Sequence, residues 1–124
     1  MKVLLVDDDE LVRYSLAKAL RQADHEVEEM DSGLRVSLTL EKFQPDILIT
    51  DIIMPDKEGL GLIMETRTSH PHLPIIAISG GGRLTPKEYL SDASALGAHA
   101  VLQKPVDHIE LISHIERLTS NRLF

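Results

Sequence analysis

The chain has 124 residues, 43% of them apolar and 27% charged, the proportions of a soluble globular domain rather than of a disordered, fibrous or membrane-embedded chain. Its formal charge of -7, from 13 Lys and Arg against 20 Asp and Glu, argues against a broad basic surface and so against direct binding of nucleic acid. The lack of cysteine removes disulfides, thiolate zinc sites and cysteine nucleophiles, so the chemistry must come from oxygen and nitrogen. A chain this long is expected to form one domain around one core.

The first apolar run, Val3-Leu4-Leu5-Val6, follows a single Lys2 and is cut off by acids. It is too short for a signal peptide or a membrane span, and the protein is read as intracellular, with no membrane partner. The run lacks polar alternation, as do Ile47-Leu48-Ile49, Ile75-Ile76-Ala77-Ile78 and Ala100-Val101-Leu102, which suits strands covered on both faces. Glu26-Val27-Glu28-Glu29-Met30 alternates instead and predicts an edge strand with one wet face. Between the runs, apolar residues recur three and four apart. Leu11, Leu16 and Leu20 predict the face of a first helix, Leu34, Leu38 and Phe43 a second, and Leu60 with Ile63 or Met64 a third. Tyr89, Ala93 and Leu96 follow the helix start Thr85-Pro86, and Ile109, Ile112, Ile115 and Leu118 mark a last helix.

Strand and helix thus alternate five times. Parallel strands joined by right-handed crossovers put a helix layer on each face of one sheet, an α/β three-layer sandwich. In such sheets the functional crevice lies beyond the carboxyl ends of the strands. Those ends carry Asp7, Asp8, Asp9 and Glu10 after the first strand, Asp51 after the Ile47 run, Ser79 with three glycines after the Ile75 run, and Lys104-Pro105 after the last.

Taken singly, each has an ordinary explanation. Asp7 to Glu10 suit the cap and first turn of a helix, the role to which Asp9 and Glu10 are assigned, Asp51 suits a turn, Ser79 a local backbone bond, and Lys104 a solvated surface. Their coincidence on one edge is what points to a site. Carboxylates gathered there repel unless a divalent cation neutralises them, and oxygen ligands with waters and a phosphate suit Mg²⁺. An EF-hand counted from Asp7 would need Gly and Glu at its sixth and twelfth positions, where Val12 and Lys18 stand. Gly80-Gly81-Gly82 lacks the Lys-Ser or Lys-Thr of a phosphate-cradling loop and reads as a mobile hinge. None of the six histidines is assigned chemistry.

In order along the chain, Val3-Leu4-Leu5-Val6-Asp7-Asp8-Asp9, the run from Asp46 to Pro55 with Gly59, Ile75-Ile76-Ala77-Ile78-Ser79-Gly80, Gly97-Ala98 and Lys104-Pro105 resemble the receiver domain of two-component response regulators. The resemblance implies a single receiver domain over residues 1–124, in the flavodoxin-like fold with a five-stranded parallel sheet of order 2-1-3-4-5 and helices on both faces. It implies that Asp51 is the phosphoacceptor and that Asp7, Asp8, Asp51 and the backbone carbonyl of Ile53 bind Mg²⁺. Ser79 then matches the switch hydroxyl, and Lys104 the lysine preceding a proline that is cis in the family. The partners implied are a sensor histidine kinase or phosphotransfer protein, and a downstream protein or an output domain outside this chain. The resemblance also admits a phosphorylation-dependent homodimer, and it places the protein in the cytoplasm. Receivers usually carry Tyr or Phe three residues before the lysine; here that place is Val101, which removes the usual aromatic readout and leaves the acidic site intact.

Other classes fit less well. In haloacid-dehalogenase-like phosphatases the nucleophile follows the first strand and the acidic pair comes last, the reverse of this order. A receiver-like protein-binding module acting without phosphorylation commonly lacks one of the acids or the lysine, all of which are present. A flavin binder would place its phosphate against residues 7–10, where four acids repel it.

Overall fold

The computed structural model describes residues 1–52, 59–80 and 97–120. The apolar runs form β1 (Lys2–Val6), β3 (Ile47–Asp51), β4 (Ile75–Ser79) and β5 (Ala100–Gln103), and the alternating run forms β2 (Glu26–Met30). Helices α1 (Glu10–Gln22), α2 (Val36–Phe43), α3 (Gly59–Ser69) and α4 (His108–Ser120) complete the described elements. The helix expected after Thr85-Pro86 lies outside the described residues, as do Gly81 and Gly82 of the expected hinge.

All pairings are parallel and the strand order is β2-β1-β3-β4-β5. The central strands β3 and β4 are buried along their whole length, which is why they contain only apolar residues up to their last one or two positions. Successive side chains point to opposite faces. Leu4, Val6, Leu48, Ile75 and Ala77 therefore pack under α2 and α3, and Val3, Leu5, Ile47, Ile49, Ile76 and Ile78 under α1 and α4. The edge strand β2 buries only Val27 fully, as its glutamate-rich alternation requires.

The helix faces differ in part from the spacing read off the sequence. Leu11 is 81% exposed and Ile109 82%, and Leu34, Leu38 and Met64 also face outward. The buried stripes are Leu16, Ala17 and Leu20 on α1, Val36 and Leu40 on α2, Leu62 and Ile63 on α3, and Leu111 and Ile115 on α4. Each of these helices carries apolar residues on more than one stripe, and the sheet selects which stripe is covered.

Side chains set the starts of α1 and α4. Asp9 Oδ1 accepts from the backbone N–H of Leu11 at 3.0 Å and of Val12 at 3.1 Å, so this acid caps α1, as its position suggested. Asp107 caps α4 in the same way, accepting from Ile109 and Glu110. No helix among the described residues is long and apolar enough to cross a membrane.

Candidate phosphoacceptor and metal site

Parallel register brings the strand ends to one edge. Asp51 closes β3, the middle strand of the sheet, with Ile78 of β4 as its register partner. On its other side β1 runs out at Val6, which pairs with Thr50, and the next residue is Asp7. Asp7 is fully buried and Asp51 is 5% exposed, while Asp8 stands open to solvent. One carboxylate oxygen from each of Asp7, Asp8 and Asp51 lies within 4.8 Å of the others. Ile53 falls outside the described residues, so its carbonyl cannot be placed in this group.

Lys104 reaches across from the far side of the sheet. Its Nζ donates to Asp51 Oδ2 at 3.0 Å and stands 3.2 Å from Asp7 Oδ2. The second of these is a charge contact rather than a hydrogen bond, since Asp7 Oδ2 is buried with no hydrogen-bond partner. Burial works against the lysine's charge, but the hydrogen bond to Asp51 and the charges of Asp51 and Asp7 outweigh it and raise its pKa above the ordinary lysine value. The backbone holds the lysine in place through its N–H, which donates to the Ser79 carbonyl at 2.7 Å. The Lys104-Pro105 peptide is cis. Ser79 itself is buried at the end of β4, on the same edge.

Two glycines shape the surroundings. A β-carbon on Gly59 would run into the backbone of Asp51 and Ile52, so glycine lets α3 start directly against the end of β3. Gly59 N–H closes that approach by donating to the Ile52 carbonyl at 2.8 Å. At Gly80 a β-carbon would fall 2.8 Å from Lys104 Cβ and Cγ, so this first glycine of the expected hinge gives passage to the lysine stem. Arg13 carries no local signal in the sequence, being one basic residue inside a helix. It donates from its guanidinium to the Asp7 carbonyl at 2.7 Å. Val101 packs, partly buried, against the apolar layer under α2 and α3.

The donor set fits a hard divalent cation. Three carboxylates converge, one having a buried oxygen without a hydrogen bond, and the repulsion among them that Lys104 does not offset is the cost that such an ion reduces.

A parallel sheet of order 2-1-3-4-5 with a carboxylate cluster at its carboxyl edge defines a class of signalling domain. Residues 3–116 match the response regulator receiver domain family, and the chain belongs to it. It is 37% identical over 120 residues to the DNA-binding transcriptional regulator NtrC of Azospirillum brasilense, which covers 96% of this chain and 24% of that protein. It is 30% identical over 118 residues to the virulence transcriptional regulatory protein PhoP of Shigella flexneri, covering 95% of this chain and 52% of that one. Among solved structures, the receiver domain of NtrX from Brucella abortus superposes with a TM-score of 0.87 at 28% identity, over 95% of this chain and 98% of that domain. The chain is therefore a regulatory domain of phosphoacceptor signalling, and it spans about a quarter of the first of these curated relatives and about half of the second.

Proposed function

We propose that the 124 residues act as one cytoplasmic receiver unit, a switch in which Asp51 accepts a phosphoryl group from a phosphohistidine on a sensor histidine kinase or phosphotransfer protein. The observation that carries this is the Asp51 carboxylate, which ends the central strand beside two further acids and is held at 3.0 Å by Lys104. An Asp51 oxygen attacks phosphorus, the P–N bond to the imidazole breaks, and the ring leaves with the electron pair. Asp7, Asp8 and Asp51, with the carbonyl of Ile53, are the residues that would hold Mg²⁺. When bound, that ion offsets charge on the phosphoryl oxygens and on the acids themselves.

Lys104 supplies a fixed positive charge to the same oxygens and costs no reorganisation, because its ammonium already points into the site. Ser79, buried at the neighbouring strand end, would donate its hydroxyl to a phosphoryl oxygen once one is present. That bond would draw on the backbone that follows at Gly80 and so alter the surface offered to partners. The same groups would serve attack by water on the acyl phosphate, so the domain promotes both its own phosphorylation and its dephosphorylation. Output passes to a downstream protein or to an output domain outside these residues, as the names of the transcriptional relatives suggest. The net charge of -7 argues that the receiver itself does not touch DNA.

The test is incubation with acetyl phosphate followed by intact-mass measurement. Wild type should gain one phosphoryl group with Mg²⁺ and none with a chelator, and Asp51→Asn should fold normally and gain none. Labelling of the variant at wild-type yield would move the acceptor to another residue.

A further inference from the structure

The Asp7-Asp8 turn is held by more than its own acids. Both backbone polar groups of Asp7 are taken: its N–H donates to the Met30 carbonyl at 3.0 Å, and its carbonyl accepts from Arg13 at 2.7 Å. The Asp7 carbonyl shares a rigid peptide plane with the Asp8 N–H, so fixing that oxygen restrains ψ of Asp7 and φ of Asp8, the backbone torsions that set the two side chains relative to each other. Arg13 is only 17% exposed and is itself braced, with Nε 3.5 Å from Glu29 Oε1. Glu29 is in turn held on its other oxygen by Arg21 at 3.0 Å, and Arg21 also donates to the Val27 carbonyl. Two arginines of α1 thus clasp one glutamate of β2, and the inner arginine reaches on to the acidic turn.

We propose that Arg13 is a positioning residue for the acidic pair. Braced by Glu29, it holds the Asp7-Asp8 peptide so that mutually repelling carboxylates stay converged in the orientation a divalent cation requires. This rests on the reading of the cluster as a Mg²⁺ site. Positioning and charge act here with opposite sign. A guanidinium beside the turn repels a second cation, so if charge were its whole effect, removing it would tighten Mg²⁺ binding. If geometry dominates, removing it weakens binding, and keeping the charge without the planar fork does not restore it.

The experiment is calorimetric titration of the unphosphorylated protein with Mg²⁺ at fixed ionic strength, for wild type, Arg13→Gln, Arg13→Lys and Leu20→Val. Both Arg13 variants should bind on the order of tenfold more weakly, the scale found when groups that orient metal ligands are removed. Leu20→Val loosens the packing of α1 without touching the turn, and should bind as wild type does. Unchanged or tighter binding by Arg13→Gln overturns the proposal, as does full affinity in Arg13→Lys. Equal weakening in Leu20→Val also overturns it, because the effect would then be general loosening of the helix. Wild type that shows no Mg²⁺ binding at all refutes the metal reading itself, a result distinct from any of these.

Discussion

Asp7 combines full burial with an ionised partner on only one side, and its Oδ2 has no hydrogen bond. A carboxylate so placed is costly to keep charged, and in the absence of a cation it also repels Asp51 and Asp8. Asp7→Asn should therefore weaken Mg²⁺ binding while leaving the metal-free stability equal or higher, since Lys104 keeps its hydrogen bond to Asp51. Urea unfolding with and without Mg²⁺ checks both halves. A metal-free variant that is clearly less stable would show that the Asp7–Lys104 contact outweighs the repulsion. The acids and the lysine were legible at this scale because each directly ends a strand. The Gly80 passage and the Arg13 bond were not, since each depends on a side chain arriving from another element.

The start of α3 shows how one element is fixed by another. Gly59 faces the backbone of Asp51 and Ile52 with no room for a β-carbon, whereas Gly61, two residues on, has nothing within 4 Å. Gly59→Ala should cost about 1–3 kcal/mol through overpacking and should disturb the end of β3. Gly61→Ala should instead stabilise the protein by roughly 0.5–1 kcal/mol, the helix preference of alanine over glycine. Denaturant midpoints of the two variants should move in opposite directions, and a shared direction would contradict this reading of the helix start. The existence and type of the described elements followed from their periodicity. The covered faces of α1, α2 and α4 did not, because Leu11, Leu38 and Ile109 continue apolar spacings that the sheet leaves in solvent.

Stability of the whole molecule should depend on two histidines that act through folding rather than chemistry. His99 Nδ1 accepts from the Ile75 N–H at 3.1 Å, a bond that requires this nitrogen to be unprotonated. Arg67 also lies 3.3 Å from it, and its guanidinium ties α3 to the segments that lead into β4 and β5 by donating to the Leu73 and Gly97 carbonyls. Burial, then the charges of Arg67 and Arg117, lower the His99 pKa from 6.5, although part of the ring meets solvent. Burial and the N-terminal ammonium likewise lower that of His25, against weaker opposing effects from Glu116, the Met1 backbone and Asp24. With folded values below the unfolded one, the unfolded chain binds protons first. Stability should then be full above about pH 6.5 and fall as pH drops from there through the lowered folded values. Thermal midpoints from pH 8 to 5 should show this acid slope, and a His99→Asn, His25→Asn double variant should flatten it. An unchanged slope in the double variant would place the linkage elsewhere.

Local patterns were enough to establish the alternation of strand and helix, the wet edge at β2 and the acids that end β1 and β3, because each depends on spacing within a few residues. The order β2-β1-β3-β4-β5 was implied by resemblance to receivers and not by periodicity, since identical apolar runs are compatible with several strand orders. Only the assembled sheet sets Asp7 and Asp8 beside Asp51 and carries Lys104, 53 residues away in the chain, to within 3.0 Å of that carboxylate. The physical reason is one of range: hydrophobic periodicity acts along the chain, whereas the charge balance at the strand ends depends on neighbours chosen by tertiary packing.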